Sequence, residues 1–520
     1  MKESKVKGER KMAQMINYAM KAYSQLMEEQ DNLVEQNLLG QEEQMIECLT
    51  YNSKEVLQNT LFICKGAAFK PDYLNEAVKK GAICYISEKK YETEKEVPYI
   101  IVKDIRKAMP VLSNKFFNKP WEDLKVIGIG GTKGKSTSVY YMKAVVDDYL
   151  LAQNKKDSAV ISTIDIYDGV IKKESHITTP EAVELQGHIR NAVNSGMEFL
   201  QMEVSSQALK YGRVDGMMFD VAVFLNISED HISPIEHPDF EDYFQSKLKM
   251  FSKTKTAVVN LDADFADRIL EEAQVAQKVV TISTKNETAD FYAYNIKKKG
   301  NGTVFKVRCS QFDEEFELSM PGFFNVENAL GVIAAAVELQ IPVEYIHSGL
   351  ERAKSSGRME LYSTEDHKIL AIVDYAHNKL SFEKLFSSIK EEYPDREIIS
   401  IFGCPGKKSL LRRRYLGTIA GQYAKMVYIA AEDPGAEPVE QISSEIAKYV
   451  EAQGCDYEMI EDRGEAIKAA MEYVKKPSVI LITGKGNETR QKYGSEYLDC
   501  PSDVEYVKKY IAEYNDRMTE

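Results

Sequence analysis

The run Gly128-Ile129-Gly130-Gly131-Thr132-Lys133-Gly134-Lys135-Ser136-Thr137 has the residue types of a phosphate cradle. Glycines let backbone N–H groups converge on phosphate oxygens with no Cβ in the way, and a helix start adds favourable potential for an anion. Lys135 is placed to reach the β- and γ-phosphates of a nucleotide, and the Ser136 hydroxyl to ligate Mg2+. The strict pattern is G-x-x-x-x-G-K-[ST]; Ile129 stands where its first glycine belongs, so the run is G-x-x-G-x-x-G-K-S. Its end, Gly134-Lys135-Ser136-Thr137, is in place between the apolar run KVIGIGG and the helical pattern STSVYYMKAVVDDYL. A strand–loop–helix turn of this kind grips a nucleotide without naming a reaction.

The elements that must hold this loop are legible as alternating strands and helices. Within residues 123–356, FLQMEVSS, DVAVFLNIS and TAVVNLD are further apolar strands, which points to a parallel sheet covered on both faces. Ahead of it, residues 45–122 carry the strands TLFICKG, AICYISE and YIIVKDI and the helix YLNEAVKKGA, a small α/β domain. Behind it, residues 357–520 carry LAIVDYAH, EIISIFGC, KMVYIAAED and SVILITGKG, with helices such as QISSEIAKYVEAQG between them. Residues 1–44 read as an amphipathic helix with a polar linker and carry no chemistry. The expected fold is therefore α/β in three domains: a central P-loop mononucleotide-binding parallel sheet, a smaller N-terminal α/β domain and a C-terminal Rossmann-like domain.

Composition agrees. A chain of 520 residues suits three domains at ~100–200 residues each. The formal net charge of -14 excludes a non-specific binder of nucleic acid or of anionic membrane, so positive charge for anionic substrates must be concentrated locally. Seven cysteines, with no C-x-x-C pair, indicate reduced thiols rather than a disulfide framework or zinc knuckle. The charged start, MKESKVKGERKMAQMINYAM, has no apolar run like a signal peptide, and no stretch approaches the ~18–20 apolar residues of a membrane span. The expectation is a cytoplasmic monomer with no membrane insertion and no nucleic-acid partner.

Further motifs narrow the chemistry. They are Thr178-Thr179-Pro180-Glu181, Met202-Glu203-Val204-Ser205-Ser206-Gln207, Arg213, Asn226-Ile-Ser-Glu-Asp230-His231 and Tyr243-Phe-Gln-Ser-Lys247. Gly322-Phe-Phe-Asn325-Val-Glu-Asn328 and Gly357-Arg358 follow, and Asp374-Tyr375-Ala376-His377-Asn378 opens the third block. The loop resembles the G-T-x-G-K-[ST] loop of the Mur ligase and folylpolyglutamate synthase superfamily. The order and spacing of the whole set resemble the Mur ligases, in detail the MurE-type branch that makes UDP-N-acetylmuramoyl-tripeptide, over about residues 45–510.

The resemblance implies an ATP-dependent acid–amino-acid ligase of peptidoglycan precursor synthesis, with UDP-MurNAc-dipeptide and an amino acid as substrates. It implies that Lys135, Glu203, His231 and Lys247 carry catalysis and that Ser136, Glu203 and His231 hold Mg2+. Lys247 matches a lysine that CO2 carbamylates, turning a cation into an anion. Gly131, Thr132, Gly134, Lys135, Ser136, Thr137, Asn325, Asn328, Arg358, Asp374 and His377 would bind ATP. Thr178, Thr179, Ser205 and Arg213 would hold the sugar nucleotide, since hydroxyls and an Arg suit phosphate and carboxylate. Tyr211 stands where the family commonly has Gln. In the first domain, which the resemblance makes UDP-binding, Ser53 of Thr50-Tyr-Asn-Ser53-Lys54 matches a family Asp-Ser-Arg segment, with Asn52 and Lys54 as departures.

The third block bears on the amino acid that is added. Diaminopimelate-adding members carry an Asp-Asn-Pro-Arg motif whose Arg clamps the distal carboxylate. Here the segment is Ala431-Glu432-Asp433-Pro434-Gly435, with Gly435 in place of Arg. An acidic pocket without that Arg suits a side chain ending in an ammonium, hence L-lysine or another diamino acid. Glu488, in a segment resembling Gly-Lys-Gly-His-Glu, would bind the amino acid's own ammonium, and Asp433 of the acidic segment is a further substrate-binding candidate. Lys407, Lys408, Arg412, Arg413 and Arg414 replace a segment with an Asp-Arg-Asp core. Two alternatives remain: another amide ligase of the superfamily, folylpolyglutamate synthase-like, and an inactive nucleotide-binding paralogue.

Overall fold

A computed structural model describes residues 17–66, 69–175, 177–230, 232–233 and 236–519. The chain divides into two compact units. The first holds the chain up to Gly128 together with Leu150–Ala222 and Lys249–Lys255; the second holds Ile129–Tyr149, Val223–Leu248 and the chain from Thr256 on.

In the first unit a five-stranded sheet has the order Leu33–Asn37, Tyr99–Val102, Ala82–Ser87, Thr60–Ile63, Cys48–Thr50. The last four are parallel, and continuous apolar runs such as Thr60-Leu61-Phe62-Ile63 are what a strand buried on both faces needs. Helices Met20–Glu29 and Ile105–Phe116 pack Tyr23, Met27 and Leu112 against Leu61, Ile86 and Ile100. Asp104 caps the second of these helices by accepting from the N–H groups of Arg106 and Lys107. The stretch 1–44, expected to be helix and polar linker, contributes more than that over its described part. Leu33–Asn37 pairs antiparallel with Tyr99–Val102 as an edge strand. Its side chains are mostly exposed, so its polar sequence gives no strand signal.

The largest sheet has eleven strands and carries the phosphate loop. Lys125–Gly130, Phe219–Phe224 and Thr254–Asn260 each begin in the first unit and end in the second. In the first unit the order leading to Lys125–Gly130 is Lys172–Glu174, Asp165–Tyr167, Ala159–Ile161, Phe199–Glu203. In the second, the order from Phe219–Phe224 is Thr254–Asn260, Lys278–Ser283, Phe291–Lys299, Gly302–Arg308, Asp313–Leu318. The final three form an antiparallel meander that the strand–helix alternation did not foretell.

The second unit also holds a six-stranded sheet ordered Glu360–Ser363, Ile369–Asp374, Ser478–Thr483, Glu397–Phe402, Met426–Ile429, Asp456–Met459. All its pairings are parallel except that of the first strand, and Ile369, Val373, Ile399, Ile401, Ile480 and Ile482 form its core. No helix among the described residues is long and apolar enough to cross a membrane. In both sheets the chemically interesting residues follow the carboxyl ends of parallel strands, the usual crevice for ligands in open α/β sheets.

Candidate active site

The phosphate loop leaves the buried strand Lys125–Gly130 and enters the helix Lys135–Ala152. Gly131 and Gly134 have φ of 142° and 84°, backbone that side chains avoid. The Lys135 ammonium lies against the loop, donating to the carbonyls of Gly131 and Thr132 at 3.0 Å each. Thr137 is buried just inside the helix. Asn226 holds the loop from the neighbouring strand end: its Oδ1 accepts from Lys133 N–H (2.8 Å) and its Nδ2 donates to Lys133 C=O (3.1 Å). The Thr132 hydroxyl accepts from Ser228 N–H and lies 3.0 Å from the Tyr243 hydroxyl.

Lys247 comes from helix Phe240–Leu248 and is almost wholly buried, while Lys249 is exposed. Its Nζ donates to Gly131 C=O at 2.7 Å and lies over the Tyr243 ring. Burial, with Lys135 and Lys133 nearby, pushes its pKa well below the ordinary lysine value, against the pull of Asp230. Position, not composition, separates this lysine from its neighbours: Lys247 is inside the helix and buried, and Lys249 follows the helix end.

Asn325 and Asn328 sit in the first turn of helix Asn325–Glu338, both buried. Asn325 Nδ2 donates to Pro321 C=O, and Asn328 Nδ2 donates to Asn325 Oδ1 at 3.0 Å. Asn328 is packed so closely on the loop that a Cβ on Gly134 would lie 2.1 Å from its Oδ1. Arg358 reaches the Ser136 hydroxyl at 3.4 Å and lays its guanidinium 4.2 Å over the Tyr375 ring. Asp374 accepts the N–H groups of Met359 and Ala376 at 2.9 and 2.7 Å; burial nonetheless raises its pKa, against Arg358. His377 places Nδ1 2.7 Å from Tyr375 C=O and Nε2 3.5 Å from Lys133 Nζ. Burial and the adjacent cations hold its pKa well below the ordinary histidine value, so the ring is neutral.

A further group of side chains in the second unit holds the carboxylates Glu432, Asp433 and Glu488. Lys485 is buried among them, donating to Asp433 Oδ1 at 3.0 Å and pairing with Glu488 at 2.6 Å. Burial opposes its charge, but Glu488 and Asp433 hold its pKa above the usual value. Burial raises Glu432 to about 7, against Arg412, Arg463 and Lys485. Tyr375 donates its hydroxyl to Glu488 at 2.6 Å. Of the basic run, Arg413 is buried on Glu437 and Glu445 and Arg412 reaches Asp230 at 3.2 Å.

Within the first unit, Glu203 ends strand Phe199–Glu203, buried, and accepts from Thr163 N–H (2.8 Å) and its hydroxyl (3.2 Å). The same Thr163 hydroxyl meets Thr178. Thr179 donates to Glu203 C=O and accepts from Ser205 N–H, while Ser205 caps the helix Ser206–Lys210. Arg213 donates to Thr179 C=O at 3.0 Å and pairs with Glu181, which also takes Lys65. Burial opposes ionisation of Glu181, but those two cations keep its pKa below the ordinary value. Tyr211 carries the Arg106 guanidinium 4.3 Å over its ring. Lys65, Arg106, Tyr211 and Arg213 line one cleft with Glu181. Ser53 is buried on Glu76 at 2.7 Å. His231 lies outside the described residues.

Thus Thr178, Thr179, Glu203, Ser205 and Arg213 form one network, and Lys135, Lys247, Asn325, Asn328, Arg358 and His377 surround the loop. Sequence reasoning gave no role to Asn226, Asp230, Tyr375 or Lys485. Asn226 and Asp230 stood inside one quoted motif, Tyr375 inside another and Lys485 in the segment that ends at Glu488, but partners such as Lys133, Asn378 and Asp433 come from distant segments.

The Mur ligase middle domain matches residues 129–336, and the Mur ligase glutamate ligase domain matches residues 357–486. The chain is 37% identical to the UDP-N-acetylmuramoyl-L-alanyl-D-glutamate--L-lysine ligase of Enterococcus faecalis, over 92% of this chain and 93% of that protein. It is 35% identical to the UDP-N-acetylmuramoyl-L-alanyl-D-glutamate--2,6-diaminopimelate ligase of Clostridium perfringens, over 87% and 92%. A solved diaminopimelate ligase superposes with a TM-score of 0.66 at 24% identity, covering 96% of this chain and all of that one, which supports the fold. Together these define an ATP-dependent ligase that joins an acid to an amino acid. The chain belongs to the Mur ligase family, and its similarity is to the MurE-type tripeptide synthetases within it.

Proposed function

We propose that the chain uses ATP to add the third amino acid to UDP-MurNAc-L-Ala-D-Glu, with L-lysine or another diamino acid favoured over meso-diaminopimelate. The observation that carries the ligase reading is the buried Lys247 on the carbonyl of Gly131, inside a loop that Asn226 and Asn328 hold in shape. The terminal D-Glu carboxylate attacks the γ-phosphate of ATP, ADP leaves, and an acyl phosphate forms. The amino acid's amine attacks its carbonyl carbon, and phosphate departs from the tetrahedral intermediate. Lys135 and Arg358 supply fixed positive charge for the transferred phosphoryl group. Asn325, Asn328, Asp374 and His377 contact the nucleotide, and Thr178, Thr179, Ser205, Arg213 and Ser53 hold the sugar nucleotide.

Magnesium would be held by Ser136, Glu203 and His231. Among the described residues no group of three His, Cys, Asp or Glu side chains could hold a metal. The buried Glu203 carboxylate and the Ser136 hydroxyl are the hard oxygen donors that suit a cation which keeps waters and shares phosphate oxygens. When bound it supplies neutralisation of the two anions that must meet. Lys247 is the residue for carbamylation: its lowered pKa favours the neutral amine, the form that adds CO2. The free cysteines fit a reducing, cytoplasmic setting.

Gly435 carries the choice of amino acid. Relatives of both specificities match at similar identity, so overall similarity does not decide. Gly435 has φ of 57°, and its N–H and C=O bond Lys492 and Gly494 on the hairpin Arg490–Tyr493 and Glu496–Asp499. No guanidinium projects from this turn to meet a distal carboxylate. Lys485 offsets part of the negative charge of Glu432, Asp433 and Glu488, and the remainder favours an ammonium. Offered a panel of amino acids with ATP and UDP-MurNAc-L-Ala-D-Glu, the protein is expected to prefer L-lysine over meso-diaminopimelate by ~100-fold or more in kcat/KM. Selective use of meso-diaminopimelate would overturn this assignment.

A further inference from the structure

Lys133 lies between the two strained glycines of the phosphate loop, yet its side chain turns away from the loop. Asn226 fixes its backbone on both sides, and its ammonium sits 3.4 Å from Asp230 Oδ2 and 3.5 Å from His377 Nε2. Asp230 is bound from the six-stranded part of the unit as well. Asn378, the N-cap of helix Lys379–Glu392, donates to its Oδ2 at 2.6 Å, and Arg412 to its Oδ1 at 3.2 Å. His377 in turn is set by Tyr375: Nδ1–H donates to Tyr375 C=O, which leaves Nε2 to accept from Lys133. The hydroxyl of the same Tyr375 donates to Glu488. A continuous set of contacts therefore runs Lys133–His377–Tyr375–Glu488 within one compact unit, from the phosphate loop to the residue assigned to the amino acid.

We propose that Lys133 is a positioning residue that couples the phosphate loop to the amino-acid pocket through His377 and Tyr375. This rests on the ligase reading above, in which Glu488 binds the amino acid. An amino acid that engages Glu488 fixes the Tyr375 hydroxyl, and through the Tyr375 backbone and His377 it fixes the direction of the Lys133 ammonium. Lys133 is one short turn from Lys135, so the loop is then held in its phosphate-binding shape. By reciprocity, nucleotide on the loop must tighten the amino acid by the same factor. Removing the Lys133 charge leaves Asp230 paired with Asn378 and Arg412, so the variant keeps no orphaned carboxylate there.

The test measures affinity for a non-hydrolysable ATP analogue with and without saturating L-lysine, or whichever amino acid the panel selects. The proteins are wild type, Lys133→Met, Lys133→Arg and Tyr375→Phe, with amide formation by wild type followed alongside. Wild type is expected to bind the analogue about fivefold or more tightly when the amino acid is present. Lys133→Met and Tyr375→Phe should bring that ratio near unity, and Lys133→Arg should keep most of it. A purely structural role would change both affinities and leave their ratio intact. Should Lys133→Met not fold, Tyr375→Phe carries the test, because its lost hydroxyl lies at Glu488. An unchanged ratio in Lys133→Met or Tyr375→Phe overturns the proposal, as does loss of the ratio in Lys133→Arg. A wild type that forms amide without any such ratio sinks the coupling alone. A wild type that forms no amide with any amine sinks the ligase reading and the coupling with it.

Discussion

Lys247→Ala is expected to lose about 10²–10³-fold in kcat, the scale of removing a preorganised charge from a reacting centre. The lysine is enclosed, with its Nζ 2.7 Å from the carbonyl of Gly131 and over the ring of Tyr243, whose hydroxyl meets Thr132. Its pKa is driven down by burial and by Lys135 and Lys133, so the neutral amine is populated at lower pH than for a free lysine. A neutral amine adds CO2, and the resulting carbamate would place an anion beside the loop. If that anion is what catalysis uses, short carboxylic acids added to Lys247→Ala should restore part of the rate by occupying the space. Steady-state rates with and without added acetate check this, with a thermal melt to show that the variant is folded. Activity that survives unchanged without any added acid would remove Lys247 from the mechanism.

Gly134→Ala is expected to be nearly as damaging, through a different route. At φ of 84° an L side chain costs about 1–2 kcal/mol before any contact is counted. The new Cβ would also lie 2.1 Å from Asn328 Oδ1. Asn328 cannot simply swing aside, because its Nδ2 is bonded to Asn325, which is bonded in turn to the Pro321 carbonyl. Either the loop moves or the asparagine pair comes apart, and both are assigned to the nucleotide. A displacement of about 1 Å at such a site costs on the order of 10²-fold. Titration with an ATP analogue should show a loss of affinity of that order, and the double variant Gly134→Ala with Asn328→Ala should recover part of the loop's phosphate binding. Wild-type affinity in Gly134→Ala would show that the loop is not the phosphate cradle.

The parts of the fold that local chemistry specifies were legible in the sequence. KVIGIGG followed by Gly134-Lys135-Ser136 gives strand, loop and helix because each choice is made within a few residues, and continuous apolar runs such as SVILIT mark parallel strands buried on both faces. Leu33–Asn37 was not legible, since an edge strand facing water needs no apolar alternation. Nor was the meander Phe291–Lys299, Gly302–Arg308, Asp313–Leu318, whose charged, half-exposed strands resemble loop. Candidate site residues could be named by type, but their partners could not. Lys247 sits buried in the last turn of its helix while Lys249, just past the helix end, is exposed, and the neutralisation of Asp433 and Glu488 by Lys485 depends on where the loops after two strands meet. The reading of an acidic pocket therefore needed amendment: one buried ammonium already sits inside it.

The central claim is that a triphosphate gripped around Lys135 is spent on the carboxyl end of a sugar nucleotide. The most direct measurement mixes purified protein with ATP, magnesium, UDP-MurNAc-L-Ala-D-Glu and L-lysine, and follows ADP and the muramoyl product by mass spectrometry. Amide and ADP are expected in equal amounts, with ADP formation falling to background when the muramoyl dipeptide is withheld. ADP release that ignores the dipeptide, or a dipeptide that stays unmodified whatever amine is supplied, would contradict the account.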